Sequence, residues 1–111
     1  MRLTLILTKP PSFSSILNTC MKLALLAVSN NHEIGVYLIG DGVFCAKVGQ
    51  MTAENLGKLV LYGGNVFVCK EDLEARGLVK NDLIPGAEIL SNIFECLVDD
   101  VMEKSQRVIC F

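Results

Sequence analysis

The stretch from Asn65 to Gly77 constrains this chain most. Val66-Phe67-Val68-Cys69 is a continuous apolar run of strand formers, the pattern of a strand covered on both faces. Lys70 follows without a linker. Glu71, Asp72 and Glu74 suit the first turn of a helix, and Gly77 suits its C′ position. The order predicts a short buried strand ending on Cys69 and a short helix starting there. In an open parallel sheet, ligands and chemistry collect beyond the strand C-termini. Free backbone N–H groups at such a helix start favour an anion, and so a nucleophilic thiolate. Lys70 and Arg76 add to that pull, whereas Glu71 and Asp72 oppose it. A cysteine closing an apolar run also packs as a small buried hydrophobe. The residues alone leave both readings open.

The rest of the chain alternates in the same way. Leu3 to Thr8 reads as a first strand, ended by Lys9-Pro10-Pro11, with Ser12 a candidate N-cap. Phe13, Ile16, Leu17, Cys20, Met21 and Ala24 keep helical spacing to about Ser29. Ile34 to Ile39 reads as a second strand, followed by Gly40-Asp41-Gly42-Val43 at the same edge as Cys69. Asp41 is expected to cap a short helical stretch from near Val43, and Cys45 either approaches Cys69 or packs inside. Thr52 is expected to cap a helix carrying Leu56, Leu59 and Val60, stopped by Gly63-Gly64. Ala87 to Leu90 reads as a fourth strand. Ser91 is expected to cap a last helix whose stripe is Ile93, Phe94, Leu97, Val98, Val101 and Met102, with Cys96 turned away and exposed. Arg107 to Phe111 closes the chain as a strand with Cys110 structural. Strands alternating with helices imply a parallel α/β sheet with helices on both faces.

Several chemistries fail on these residues. Pro10-Pro11 stands where a dinucleotide site needs its glycine-rich turn, and no P-loop is present. Cys69 and Arg76 are separated by six residues, three of them acidic, a poor cradle for an anion. His32 is expected at the opposite edge of the sheet from Cys69, which removes a Cys–His hydrolase. The five cysteines form no CxxC, and no metal-ligand cluster or cofactor motif is visible. Ten basic and twelve acidic residues are scattered, so no stripe for a nucleic-acid backbone forms. No run is long enough for a membrane span, and Leu3 to Leu7 is too short for a signal peptide. Reduced, well-separated thiols fit the cytoplasm. A hydrophobic content of 51% in 111 residues is more than a small surface-rich domain hides easily, which points to an oligomer. What remains is a thiol at the ligand edge, able to exchange sulfur without a metal or cofactor.

In the order Leu38-Ile39-Gly40-Asp41-Gly42-Val43, then Gly63-Gly64-Asn65-Val66-Phe67-Val68-Cys69 with Ala75-Arg76-Gly77-Leu78, then Leu83-Ile84-Pro85-Gly86-Ala87, the chain resembles the DsrE/DsrF/DsrH family of sulfur-relay proteins, which includes the Tus proteins of tRNA thiolation. The resemblance covers nearly the whole chain. It implies a single three-layer α/β/α domain over residues 1–111 with a mainly parallel five-stranded sheet. It also implies homo-oligomers (trimers or hexamers) or hetero-oligomers with related subunits. By the same resemblance Cys69 accepts persulfide sulfur from a donor protein and passes it to an acceptor. Asp41, Gly42, Val43, Cys45, Lys70 and Arg76 are then the expected lining of its pocket. Two other readings stay open: an assembly module with an inert Cys69, and a redox sensor that pairs Cys69 with Cys45.

Overall fold

A computed structural model describes residues 1–10 and 15–110, with the side chains of Ser15, Ile16 and Met51 undescribed. The expected cap Ser12 and the residues Phe13 and Phe111 lie outside the described residues, as does the side chain of Ile16. Five strands form one sheet: β1 (Arg2–Leu7), β2 (Glu33–Leu38), β3 (Asn65–Cys69), β4 (Ala87–Leu90) and β5 (Arg107–Cys110). Their order is β4-β3-β2-β1-β5 and every neighbouring pair is parallel. A parallel pair needs a crossover between its strands, which the helices supply. These are α1 (Ser15–Ser29), α2 (Met51–Leu61), the short α3 (Lys70–Ala75) and α4 (Ile93–Asp99). A 3₁₀ segment, Gly40–Ala46, links β2 to α2.

Strand alternation divides the core in two. Leu3, Leu5 and Leu7 of β1, Ile34, Val36 and Leu38 of β2, and Val66 and Val68 of β3 face α1 and α2. The α1 side chains Leu17, Cys20, Met21, Ala24 and Val28 and the α2 side chains Ala53, Leu56 and Leu59 meet them there. On the other face Tyr37, Phe67, Cys69 and Leu90 pack against Ile93, Cys96 and Leu97 of α4. Covered on both sides, β2 buries every residue from Ile34 to Leu38.

The last helix is rotated relative to its expected stripe. Ile93, Cys96, Leu97 and Asp100 turn inward, whereas Phe94, Val98 and Met102 are exposed. The chain widens into a π turn over Asp100–Lys104, which breaks a strict 3.6-residue count. Cys96 is half-buried in the apolar cluster rather than exposed, and Cys110 is exposed on an edge strand rather than part of the core. The expected helix starts also shift. Gln50, not Thr52, precedes α2, and the Thr52 hydroxyl sits inside, donating to the Cys45 carbonyl at 3.0 Å. Asn92, not Ser91, precedes α4, and the segment after β2 begins at Gly40, with Asp41 already in its first turn.

Candidate functional site

Cys69 ends β3 and directly precedes α3, as the sequence predicted. The helix closes at Gly77, which adopts φ +70. Leu78 N–H returns to the Leu73 carbonyl at 3.1 Å and Gly77 N–H to the Glu74 carbonyl at 3.1 Å. That is a Schellman closure, and buried Leu73 and Leu78 supply its apolar pair. A helix so short depends on such tertiary ties for its stability.

Two further ties bind α3 to the glycine loop after β2. The Asp72 carboxylate accepts the Gly40 N–H at 2.8 Å. The Arg76 guanidinium donates to Asp41 at 2.9 Å through Nε and to the Asp72 carbonyl at 3.0 Å through Nη1. Two of the segments that carry the family resemblance are thus one hydrogen-bonded unit. Gly42 sets how close this unit sits to β1, since a Cβ there would lie 1.9 Å from the Leu7 carbonyl oxygen. Only glycine fits such an approach.

The Cys69 side chain is almost fully enclosed, at 3% exposure. Its thiol donates to Glu71 Oε2 at 3.4 Å. Burial pushes this thiol above its ordinary value. The Asp72 N–H pulls it down, and the Asp72 and Glu71 carboxylates push it up again. The expected lowering by the helix start is outweighed, because α3 brings its own acids next to the sulfur. Cys69 is therefore a protonated thiol at neutral pH with a carboxylate on its proton.

The other expected lining residues fall into different places. Asp41 and Arg76 meet each other above α3, with Asp41 exposed and Arg76 half-buried. Gly42 and Val43 are buried and serve packing, and Lys70 is exposed. Cys45 packs in the α1/α2 cluster, on the other face of the sheet from Cys69, and its thiol donates to the Lys9 carbonyl at 3.6 Å. Burial lifts its pKa to about 11. Cys45 and Cys69 thus belong to different apolar clusters, and the cysteine that shares the Cys69 cluster is Cys96.

A separate open cleft of about 670 Å³ lies on the α4 face toward the strand N-termini. Tyr37 and Phe67 are among the residues that line it, their rings stacked at 4.9 Å. Cys69 does not line this cleft. At its inner end Asp100 takes both Arg2 Nε at 2.7 Å and Arg2 Nη2 at 2.6 Å, with the Tyr37 hydroxyl at 2.8 Å and the Thr4 hydroxyl at 3.3 Å. The Arg2 hydrogen bonds, reinforced by Tyr37, hold the Asp100 carboxyl below the usual 3.8 despite its burial. Sequence reading missed this cluster. Its members are separated by up to 98 positions and no local pattern joins them. Glu71, expected from the sequence as an acid that opposes the thiolate, is found to accept the thiol's hydrogen bond. Among the described residues, no group of three or more His, Cys, Asp or Glu side chains is placed to hold a metal. No described helix is long and apolar enough to cross a membrane.

Comparison with known proteins supplies the family. An uncharacterized protein of Methanopyrus kandleri is 32% identical over 98% of this chain and 93% of its own length. A TusC homolog of Vibrio parahaemolyticus is 39% identical over 76% of this chain and 75% of its own. Among solved structures, the ychN protein from E. coli superposes with a TM-score of 0.74 over 100% of both chains at 20% identity, and a Methanobacterium thermoautotrophicum protein of unknown function with 0.75 over 99% and 98% at 18%. Those two likenesses show the fold. The model of the DsrE/DsrF-like family matches residues 1–111, and the chain belongs to that family.

Proposed function

We propose that this protein is a cytoplasmic sulfur-relay subunit in which Cys69 accepts sulfane sulfur as a persulfide and passes it on. The observation that carries this reading is the setting of Cys69. It stands at the C-terminal end of β3, with its proton held by Glu71 and its helix tied to the Gly40–Gly42 loop. Family membership and the TusC homologs among its relatives support sulfur relay as the context. Exposed Phe94 and Val98 on the outer side of α4, with exposed Met102 in the π turn after it, support work in an oligomer with like or related subunits.

Intact-mass spectrometry after incubation with a cysteine desulfurase and cysteine tests the reading. Wild-type protein is expected to gain one sulfur that a reductant removes, and Cys69→Ser is expected to gain none. A gain that persists in Cys69→Ser would move the acceptor elsewhere; no gain in either would reject the reading.

A second reading follows from the 3% exposure of Cys69. In it the thiol is inert packing and the chain is an assembly subunit. Native-state alkylation separates the two. An inert thiol labels only with global unfolding, whereas an acceptor labels through local opening of the α3 segment.

A further inference from the structure

We propose that Glu71 is the general base and acid of sulfur uptake, taking the Cys69 proton as the sulfur attacks. This inference rests on the sulfur-relay reading of Cys69. The geometric basis is direct: the thiol donates to Glu71 Oε2 at 3.4 Å, a normal length for a sulfur donor, from a side chain with 3% exposure. The Asp72 carboxylate also acts on the thiol, but it carries other partners. It accepts the Gly40 N–H at 2.8 Å and faces Arg76 at 3.6 Å. Glu71 is exposed on the outer side of α3, where water can exchange its proton. It thus spans the distance between an enclosed thiol and solvent.

The site needs such a group. A thiol enclosed in apolar packing and flanked by acids gains little thiolate by simple ionisation at neutral pH. Attack coupled to proton transfer avoids a free thiolate in that setting. The donor is a persulfide, R–S–SH. Cys69 Sγ attacks its outer sulfur while the Sγ proton passes to Glu71. The bond between the two donor sulfurs breaks and its electron pair leaves with R–S⁻, which takes the proton back from Glu71. The products are Cys69–S–SH and R–SH. One neutral sulfur atom has moved, and no outside oxidant or reductant is consumed.

The test compares sulfur uptake by wild type and Glu71→Gln from glutathione persulfide, read by intact mass over about pH 6 to 8. Glutamine keeps the size and can still accept the thiol hydrogen bond, but it takes no proton. Dividing the two rates at each pH cancels the titration of the donor. With Glu71 as base, wild type is faster by about 10²-fold or more at the acid end. That ratio falls about tenfold per pH unit as thiolate becomes available to the variant. A merely electrostatic Glu71 gives the opposite result. Removing its charge would lower the thiol pKa, so the variant would be faster at every pH with a flat ratio, and that outcome overturns the proposal. Equal rates overturn it too. If wild type gains no sulfur from this donor or from a desulfurase, the sulfur-relay reading falls and the role of Glu71 with it. If wild type gains sulfur and Glu71→Gln is as fast or faster, only the role of Glu71 falls.

Discussion

At the N-terminal edge of the sheet Asp100 meets a guanidinium; at the C-terminal edge Glu71 meets a thiol. Both acids are within hydrogen-bond reach of their partners. Asp100 is enclosed, at 2% exposure, and its two oxygens take Arg2, Tyr37 and Thr4 together. Its charge is compensated in place, so the cluster resists proton exchange and pins the last helix to β1 and β2. Glu71 is exposed and its thiol partner is neutral, so its charge is compensated by water. The difference separates an acid that locks structure from an acid free to cycle a proton. Burial plus an opposite charge makes the first, and exposure plus a weak donor makes the second.

The strongest way to break this comparison is Asp100→Asn. The change keeps the shape and leaves the Arg2 guanidinium with only the exposed Glu33 carboxylate at 3.8 Å as counter-charge. A cost of about 3–5 kcal/mol is expected, read as a lower urea midpoint at unchanged slope. A cost under about 1 kcal/mol would put Asp100 among surface pairs and erase the contrast with Glu71. The pH dependence sharpens the same point. The folded Asp100 pKa lies below its unfolded value, so its contribution to stability is complete above about 4 and is lost as pH falls through the lower folded value. Wild type should lose stability over that acid window, and Asp100→Asn should show a shallower loss there.

Gly42→Ala probes the loop that ties α3 to β1. Its new Cβ would sit 1.9 Å from the Leu7 carbonyl oxygen, a backbone atom that moves only if β1 moves. Overpacking of this kind costs about 1–3 kcal/mol. The thermal midpoint of the whole domain should fall, and Cys69 should alkylate faster in the native state because α3 rests on this loop. An unchanged midpoint would mean that the Gly40–Ala46 segment is not fixed against β1.

The contrast also explains what sequence could deliver. The Cys69 edge was legible because its signals are local: an apolar run, an immediate acidic helix start, a closing glycine and a glycine loop after β2. Helical spacing likewise gave α1 and α2, and alternation gave the parallel sheet. The Asp100 edge was not legible, because Arg2, Thr4, Tyr37 and Asp100 come from β1, β2 and the end of α4. Asp100 lay outside the expected apolar stripe, and the helix sits rotated from that stripe, half-burying Cys96 and exposing Phe94. The thiol environment needed coordinates as well. Helix-start N–H groups and adjacent acids pull a cysteine in opposite directions, and only burial decided the sign.

The smallest effect on stability belongs to Arg76→Ala, and it separates local from global behaviour. Arg76 is partly exposed and pairs with Asp41, itself more than half exposed. Such a pair contributes about 0.2–1 kcal/mol, so the urea midpoint should barely move. The same guanidinium also holds the Asp72 carbonyl and so braces α3 against the Gly40–Gly42 loop. Without it, opening of α3 alone becomes easier while the sheet stays intact. Native-state alkylation of Cys69, located by peptide mapping, should then rise several-fold more than the change in global stability allows, whereas buried Cys20 and Cys45 should stay protected. If Cys69 labelling rose only in step with global stability, the α3 segment would open together with the core. The thiol would then be as locked as Asp100, and the distinction between the two edges would not hold.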